Sequence, residues 1–350
     1  MALRQEGALS SMIPLELGGF NEGILPTARR CHALGQSCGS AAMVFAMHQI
    51  QIACLVHHGG TSDWHRQFMR QIASEQLLLG SVTSEVGVGG QIRKSLCAIE
   101  EDAGCVKLHK RSTAISYGEQ ADALLITARR DDAANQADQV LLVGQSHQYR
   151  LDRCGTWDAM GMRGTCSHPF DVTLECVAEQ ILSAPFADIA EQTMQPVSHL
   201  LWSALWTGIA ADAVFRARDF LRARARGGDV PSAARARLAE AAGLAQMAEG
   251  RLTTVLREFD EIWTHGPVPL SIEKAGNINA LKVSVSAIAL QVVNHAMMIC
   301  GIDGYKNNTP HSVGRHLRDL HSAPLMISNE RILESNGHML LMQKPHLGAF

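Results

Sequence analysis

The densest chemistry in this 350-residue chain is Ser81 to Gly90, SVTSEVGVGG. Thr83, Ser84 and Glu85 carry two hydroxyls and a carboxylate, and Gly87, Gly89 and Gly90 follow, where the backbone can take conformations closed to other residues. A glycine-rich loop at the mouth of a strand can present bare N–H groups to a flat or anionic ligand. The same residues would also make an ordinary hairpin turn. A second cluster lies in a turn-like stretch, where Arg163 stands beside the hydroxyls of Thr165 and Ser167. A third is the arginine run Arg216, Arg218, Arg222, Arg224 and Arg226, which suits the C-terminal turn of a helix dipole. Metal chemistry has no matching pattern. The nine cysteines form no Cys-x-x-Cys pair, and the sixteen histidines include no His-Glu-x-x-His.

The elements that must position these groups change character twice. Residues 1–78 read as an N-terminal helical domain: after the loop IPLELGGF, apolar residues recur at three- and four-residue spacing from Thr27 to the His57-His58-Gly59-Gly60 break, and a further helix runs from Trp64 to Gln76. Residues 79–183 read as an antiparallel β-barrel domain of seven or eight short strands, with Asp131–Gln139 as a hairpin tip. Residues 184–350 read as a C-terminal helical bundle, with helices expected at Asp188–Arg226, Ser232–His265, Ser271–Cys300 and His311–Leu341.

Composition limits the partners. With 46% hydrophobic and 19% charged residues, the chain can bury a large core. A net charge of −3 gives no basic field, so nucleic acid is not an expected partner. The apolar runs read as too interrupted for membrane insertion, and MALRQEGALSS has no apolar secretory core. An odd number of cysteines with no secretory signal fits reduced thiols in the cytoplasm.

Helices, then strands, then a long helical bundle, combined with five segments in order, carry a resemblance. The segments are IPLELGGF, GSAAMVFAMHQ (39–49), TSEVGVGG, TWDAMGMRGTCS (156–167) and GIDGYKNNTPHSVGRHLRD (301–319). Together they resemble the acyl-CoA dehydrogenase superfamily of flavoproteins over nearly the whole chain, starting part-way through that family's N-terminal domain. The resemblance implies an α+β multidomain fold: a shortened helical domain, a central antiparallel β domain and a four-helix bundle. It also implies a homotetramer.

By resemblance, a flavin ring lies between the β domain and the bundle. Thr83 is then the side-chain contact from the loop, and Val82 and Ser84 offer main-chain groups. Gly90 stands where the family usually has a ligand-binding serine. Ser116 matches the family's hydroxyl to the flavin, and Ala114 replaces its shielding tryptophan. Arg222 and Gly301 fall in the segments that hold the pyrophosphate, the arginine being donated to a neighbouring subunit. FAD is the expected cofactor, with FMN as the alternative. The family's catalytic glutamate has no counterpart: Ile327 stands at its usual place and His199 at the alternative one. The candidates for proton transfer are therefore His199, His321 and Glu330, with His48 a further histidine and Arg318–Asp319 an expected structural pair. The resemblance implies a flavin-dependent oxidoreductase acting on an acyl-CoA or similar substrate and passing electrons to an acceptor. The alternatives are a two-component monooxygenase fed by a flavin reductase, and a catalytically degenerate flavin or acyl binder.

Overall fold

The computed structural model describes residues 2–228 and 230–342. The chain opens with helices α1 (Ala2–Gln5), α2 (Ile24–Ser37), α3 (Gly39–His58) and α4 (Asp63–Glu75). Seven strands follow: β1 (Leu79–Val82), β2 (Glu100–Asp102), β3 (Cys105–Ile115), β4 (Ala123–Arg129), β5 (Gln139–Gln145), β6 (Tyr149–Arg153) and β7 (His168–Val177). The remainder is helical: α5 (Phe186–Ile189), α6 (Gln195–Ala225), α7 (Ser232–Trp263), α8 (Ile272–Cys300), α9 (Ile302–Tyr305), α10 (Gly314–Leu320) and α11 (Asn329–Met342).

The strands form two sheets, ordered β1-β4-β5 and β2-β3-β7-β6. The expectation of a wholly antiparallel domain is corrected here, because β1 pairs with β4 in parallel, Leu79 opposite Ala123. The run LCAIEED yields only the short β2, while CVKLHKR and the first half of TAISYG run together as β3. The three-stranded sheet is buried on both faces. Leu79, Leu125, Leu141 and Val143 face the helices, whereas Val82, Leu124, Ile126 and Leu142 face β3 and β7. A strand covered on both sides has no need of alternation, which explains the unbroken apolar runs ALLITA and QVLLVG.

His48 ties the layers together. Its ring, fully buried, accepts from Leu79 N (3.0 Å) and donates to Leu9 O (2.7 Å). Helices α2 and α6 cross closely because Gly208 lies against His32 O: a Cβ there would come within 2.1 Å of that oxygen.

Three helix expectations are corrected. The reading of one helix from Thr27 to the histidines gives way to two, because Cys38 is extended (φ −156°, ψ 109°). The helix expected from Asp188 starts as α5, passes through a π-helical turn at Ala190–Met194, and continues as α6. Pro196 in the first turn of α6 explains this, since proline lacks an N–H and clashes with the carbonyl four residues back. The helix expected at His311–Leu341 is split into α10 and α11 by turns around Pro324, and its end lies next to residues 343–350, outside the described residues.

The expectation about membrane spans also changes. Gly39–His58 and Ile272–Cys300 are long and apolar enough to cross a bilayer, with mean hydropathies of 1.5 and 1.6. Both are core helices: α3 packs on α6 and on β1, and α8 packs on α6 and α7.

Candidate functional site

The loop after β1 is pinned at its neck by Glu85. This buried carboxylate accepts from Ser95 Oγ (2.7 Å), Leu96 N (3.1 Å) and Cys97 N (2.7 Å), and lies 3.6 Å from the ammonium of Lys110. Lys110 stands on the inward face of β3 and also donates to Thr127 O and Thr127 Oγ1. Burial pushes its pKa down and Glu85 resists that shift. Ser84 Oγ joins Ser112 Oγ (2.7 Å) and takes Ala114 N (3.2 Å), fastening the loop to β3. Between these anchors Gly87, Gly89 and Gly90 take φ of +94°, +60° and +73° and are exposed. Among the described residues, the N–H groups of Thr83, Ser84, Gly87, Gly89 and Gly90 make no protein hydrogen bond. The result is an exposed row of donors on a fixed neck.

An arc of contacts leads from this loop to the bundle. Ser116 Oγ meets Ser167 Oγ (2.8 Å), which meets Thr165 Oγ1 (2.8 Å). Tyr117 N donates to Thr165 O (2.7 Å). Met162 N donates to Asp319 Oδ1 (2.7 Å), and a Cβ on Gly161 would press to 2.0 Å from Arg318 O. Asp319 therefore anchors the 156–167 segment. The expected Arg318–Asp319 pair is corrected: no ion pair links them among the described residues. At the loop's other edge, Gly90 approaches the guanidinium of Arg331 on α11, 3.1 Å from an ideal Cβ.

A cavity of about 370 Å³ lies between Arg93, just after the loop, the starts of α6 and α8 and the later turns of α11. Arg93 and Glu191 pair across it at 3.1 Å, each half exposed. Gln195 donates to Asn279 Oδ1 (3.3 Å), and Asn279 donates to Asn336 Oδ1 (2.9 Å). Just inside α6, His199 is fully buried, and neither ring nitrogen makes a hydrogen bond of normal geometry. Burial, and then the charge of Lys282, push its pKa down to about 3, while the Asn279 side chain opposes the shift. Lys282 donates to Ile327 O (2.6 Å) and Asn329 Oδ1 (2.8 Å), and burial lowers its pKa to about 8. Ile327, a β-branched residue, is held at φ +50°, an outlier of the kind found at constrained functional segments.

No family model matches the sequence. A dibenzothiophene monooxygenase of Rhodococcus erythropolis is 24% identical over 233 residues, covering 64% of this chain and 55% of that protein. A cyclohex-1-ene-1-carbonyl-CoA dehydrogenase of Geobacter metallireducens is 24% identical over 59% of this chain and 55% of its own length. The chain spans about half the length of these curated relatives. An amino sugar nitrososynthase of Streptomyces peucetius is 25% identical over 93% of this chain and 80% of its own. Among solved structures, TdsC from Paenibacillus sp. A11-2, in complex with FMN and indole, superposes with a TM-score of 0.86 at 19% identity, covering 98% of this chain and 90% of that one. Butyryl-CoA dehydrogenase from Megasphaera elsdenii gives 0.83 at 17% identity, covering 97% and 88%. The chain has the acyl-CoA dehydrogenase fold.

In this acyl-CoA dehydrogenase fold, the sequence-predicted residues fall into separate groups. Thr83, Ser84, Gly90 and Ser116 lie along the β-domain edge of the arc. Val82 is buried, and its carbonyl takes the Thr127 hydroxyl (3.4 Å). His321 and Glu330 are exposed at the ends of α10 and α11. His199 lies in the interior beside Lys282. Arg222 and Gly301 lie elsewhere. Helices α6 and α8 run in the same direction, and Arg222 is about 35 Å along α6 from His199, with Gly301 at the corresponding end of α8. Lys110, Lys282 and the buried His316–Asp212 pair (2.7 Å) were not singled out by sequence. Two of them had a signal: Lys110 falls on the apolar face of an alternating strand, and Lys282 is the single charge in the apolar run from Ile278 to Val293.

Proposed function

We propose that the chain is a flavin-dependent oxidoreductase whose flavin lies on the Thr83–Gly90 loop and beside Ser116, and that its chemistry is of the monooxygenase type. The carrying observation is the row of unbonded N–H groups on a loop clamped by Glu85, with the free hydroxyl of Thr83 and the half-buried Ser116 beside it. These groups fit a flavin's pyrimidine edge, which needs donors and small hydroxyls. Bound flavin supplies two-electron transfer or, when reduced, the activation of oxygen. The protein residues bind and orient: the loop presents donors, and the arc to Asp319 sets the distance to the bundle.

The monooxygenase reading rests on what faces the loop. Removal of an α-proton from a thioester needs a base within reach. Ile327 and His199 occupy the two base positions implied by the resemblance. His199 is buried, and the backbone carbonyl of Ile327 is held by Lys282. The dehydrogenase reading is favoured by one observation, exposed Glu330 beside Arg331 at the loop's edge. A reductase supplying reduced flavin is the expected partner, or an electron acceptor if Glu330 serves as base. Arg222 and Gly301 lie far from the loop, so a pyrophosphate held by them would be that of a flavin on another copy of the chain, as in the homotetramer that the resemblance implies. Nine unpaired cysteines suit a cytoplasmic enzyme.

Two experiments test this. Titration with FAD and FMN should quench flavin fluorescence, and a protein that takes up neither refutes the reading. With reduced flavin and labelled oxygen, an organic substrate panel should yield oxygenated product. Anaerobic bleaching of bound flavin by acyl-CoAs, without oxygenation, would instead establish the dehydrogenase reading.

A further inference from the structure

The cavity beside the flavin loop carries an inference about substrate class. It has an apolar wall of Leu270 from the α7–α8 connection, Ile278 on α8 and Met339 on α11, and a polar end in the amide relay of Gln195 and Asn279. At about 370 Å³ it has room for a one- or two-ring organic molecule. The loop side is cationic. Arg93 and Lys94 lie on it and Arg331 abuts Gly90, while Glu85, the loop's carboxylate, is consumed by its own neck and Lys110. Among the described residues neither Lys94 nor Arg331 has a carboxylate within ion-pair distance. Glu191 pairs with Arg93. Both partners are half exposed, so the pair is weak and easily exchanged. Glu191 also sits in the π-helical turn, a feature that recurs at functional sites.

We propose that this cavity takes a small organic oxyanion with a one- or two-ring apolar body, and that Arg93 selects it by exchanging Glu191 for the ligand's anionic head. A bidentate guanidinium–oxyanion contact replaces the exposed ion pair, and the ring fills the space between α6, α8 and α11. The inference rests on the reading above only in taking the neighbouring loop as the flavin bed.

The test is calorimetric titration of the full chain, flavin-free and FAD-loaded, with 2-naphthoate, its neutral counterpart 2-naphthol, and octanoyl-CoA. We expect 2-naphthoate to bind at least tenfold more tightly than 2-naphthol. Arg93→Met should erase that preference, Arg93→Lys should restore part of it, and Glu191→Gln should tighten 2-naphthoate several-fold by removing the competitor. A purely structural ion pair would make both single variants act in the same direction. The proposal is overturned if 2-naphthoate gives no heat at millimolar concentration, if Arg93→Met keeps the preference, or if octanoyl-CoA binds more tightly. Flavin-free protein keeps the outcomes separate: chain that never takes flavin can still select 2-naphthoate, and chain that binds flavin can still fail to.

Discussion

Glu85→Gln is the sharpest probe of the loop's neck. The amide can still accept from Leu96 N and Cys97 N but carries no charge for Lys110, which is buried 3.6 Å away. Stranding a buried charge costs about 3–5 kcal/mol. Lys110 also keeps its bonds to Thr127 and can shed its proton, which places the cost near the lower end, about 3 kcal/mol at pH 7. The sign with pH follows from the depressed folded pKa of Lys110. The unfolded chain binds more protons than the folded one between that pKa and the ordinary lysine value, so stability rises with pH across this range. Without Glu85 the depression deepens, so the variant should regain stability more steeply than the parent protein as pH rises toward the ordinary lysine value. Adding Lys110→Met removes the stranded charge, and the double variant should cost less than the sum of the singles. Urea unfolding followed by circular dichroism measures the stabilities, and FAD titration measures the loop, with about a tenfold loss of affinity expected once the neck loosens. A loss below about 1 kcal/mol at pH 7, a flat pH response, or additive singles would refute the clamp.

Other expectations follow from the same geometry. Thr83→Val and Ser116→Ala should each weaken flavin binding by about 1 kcal/mol, roughly fivefold, with the melting temperature of the flavin-free protein unchanged; unaltered affinity for both would remove them from the site. His48 is held neutral with its pKa lowered to about 4, so its contribution is present above the unfolded value of 6.5 and is lost as pH falls. That loss is about 3 kcal/mol by pH 4. His57 and His58 have values lowered to about 4 as well, so melting temperature should drop steeply between pH 6.5 and 4; a flat profile over that range would contradict their burial. Lys282, lowered to about 8, should give stability that rises as pH goes from 8 toward 10.5. Lys282→Met should abolish that rise and speed amide exchange at Ile327–Asn329, whereas normal protection there would show that the lysine does not hold the segment.

Legibility in the sequence followed periodicity. The three-part order of helices, strands and bundle was readable because each part keeps one hydrophobic period over many residues. Departures came where single residues overrule the period. Pro196 turns an expected continuous helix into a π turn, Pro324 breaks another, and extended Cys38 divides a third, none of which an apolar repeat records. The parallel β1–β4 pair was hidden for a different reason. Strand direction depends on the connection between strands, and here about forty residues intervene, including β3. At the site, the glycine loop and Ser116 were visible as residue types, but the role of Glu85 was not, since its partners lie 10 to 25 positions away.

The bundle side of the site decides which chemistry the loop can serve. Ile327, at φ +50°, has an exposed side chain, and Lys282 bonds only its backbone carbonyl. The lysine also bonds Asn329, and Asn329 bonds Ser286 (2.9 Å). The ammonium thus fixes the segment, and it lies over the Trp206 ring, 5.7 Å from its centre. In that state Lys282 holds the segment's shape. Near the loop, Glu191 pairs with Arg93 at the cavity's edge and Glu330 stands exposed beside Arg331. If the proposed oxyanion takes the Arg93 guanidinium, Glu191 loses its partner in the same step, so ligand recognition is coupled to the charge balance at Arg93.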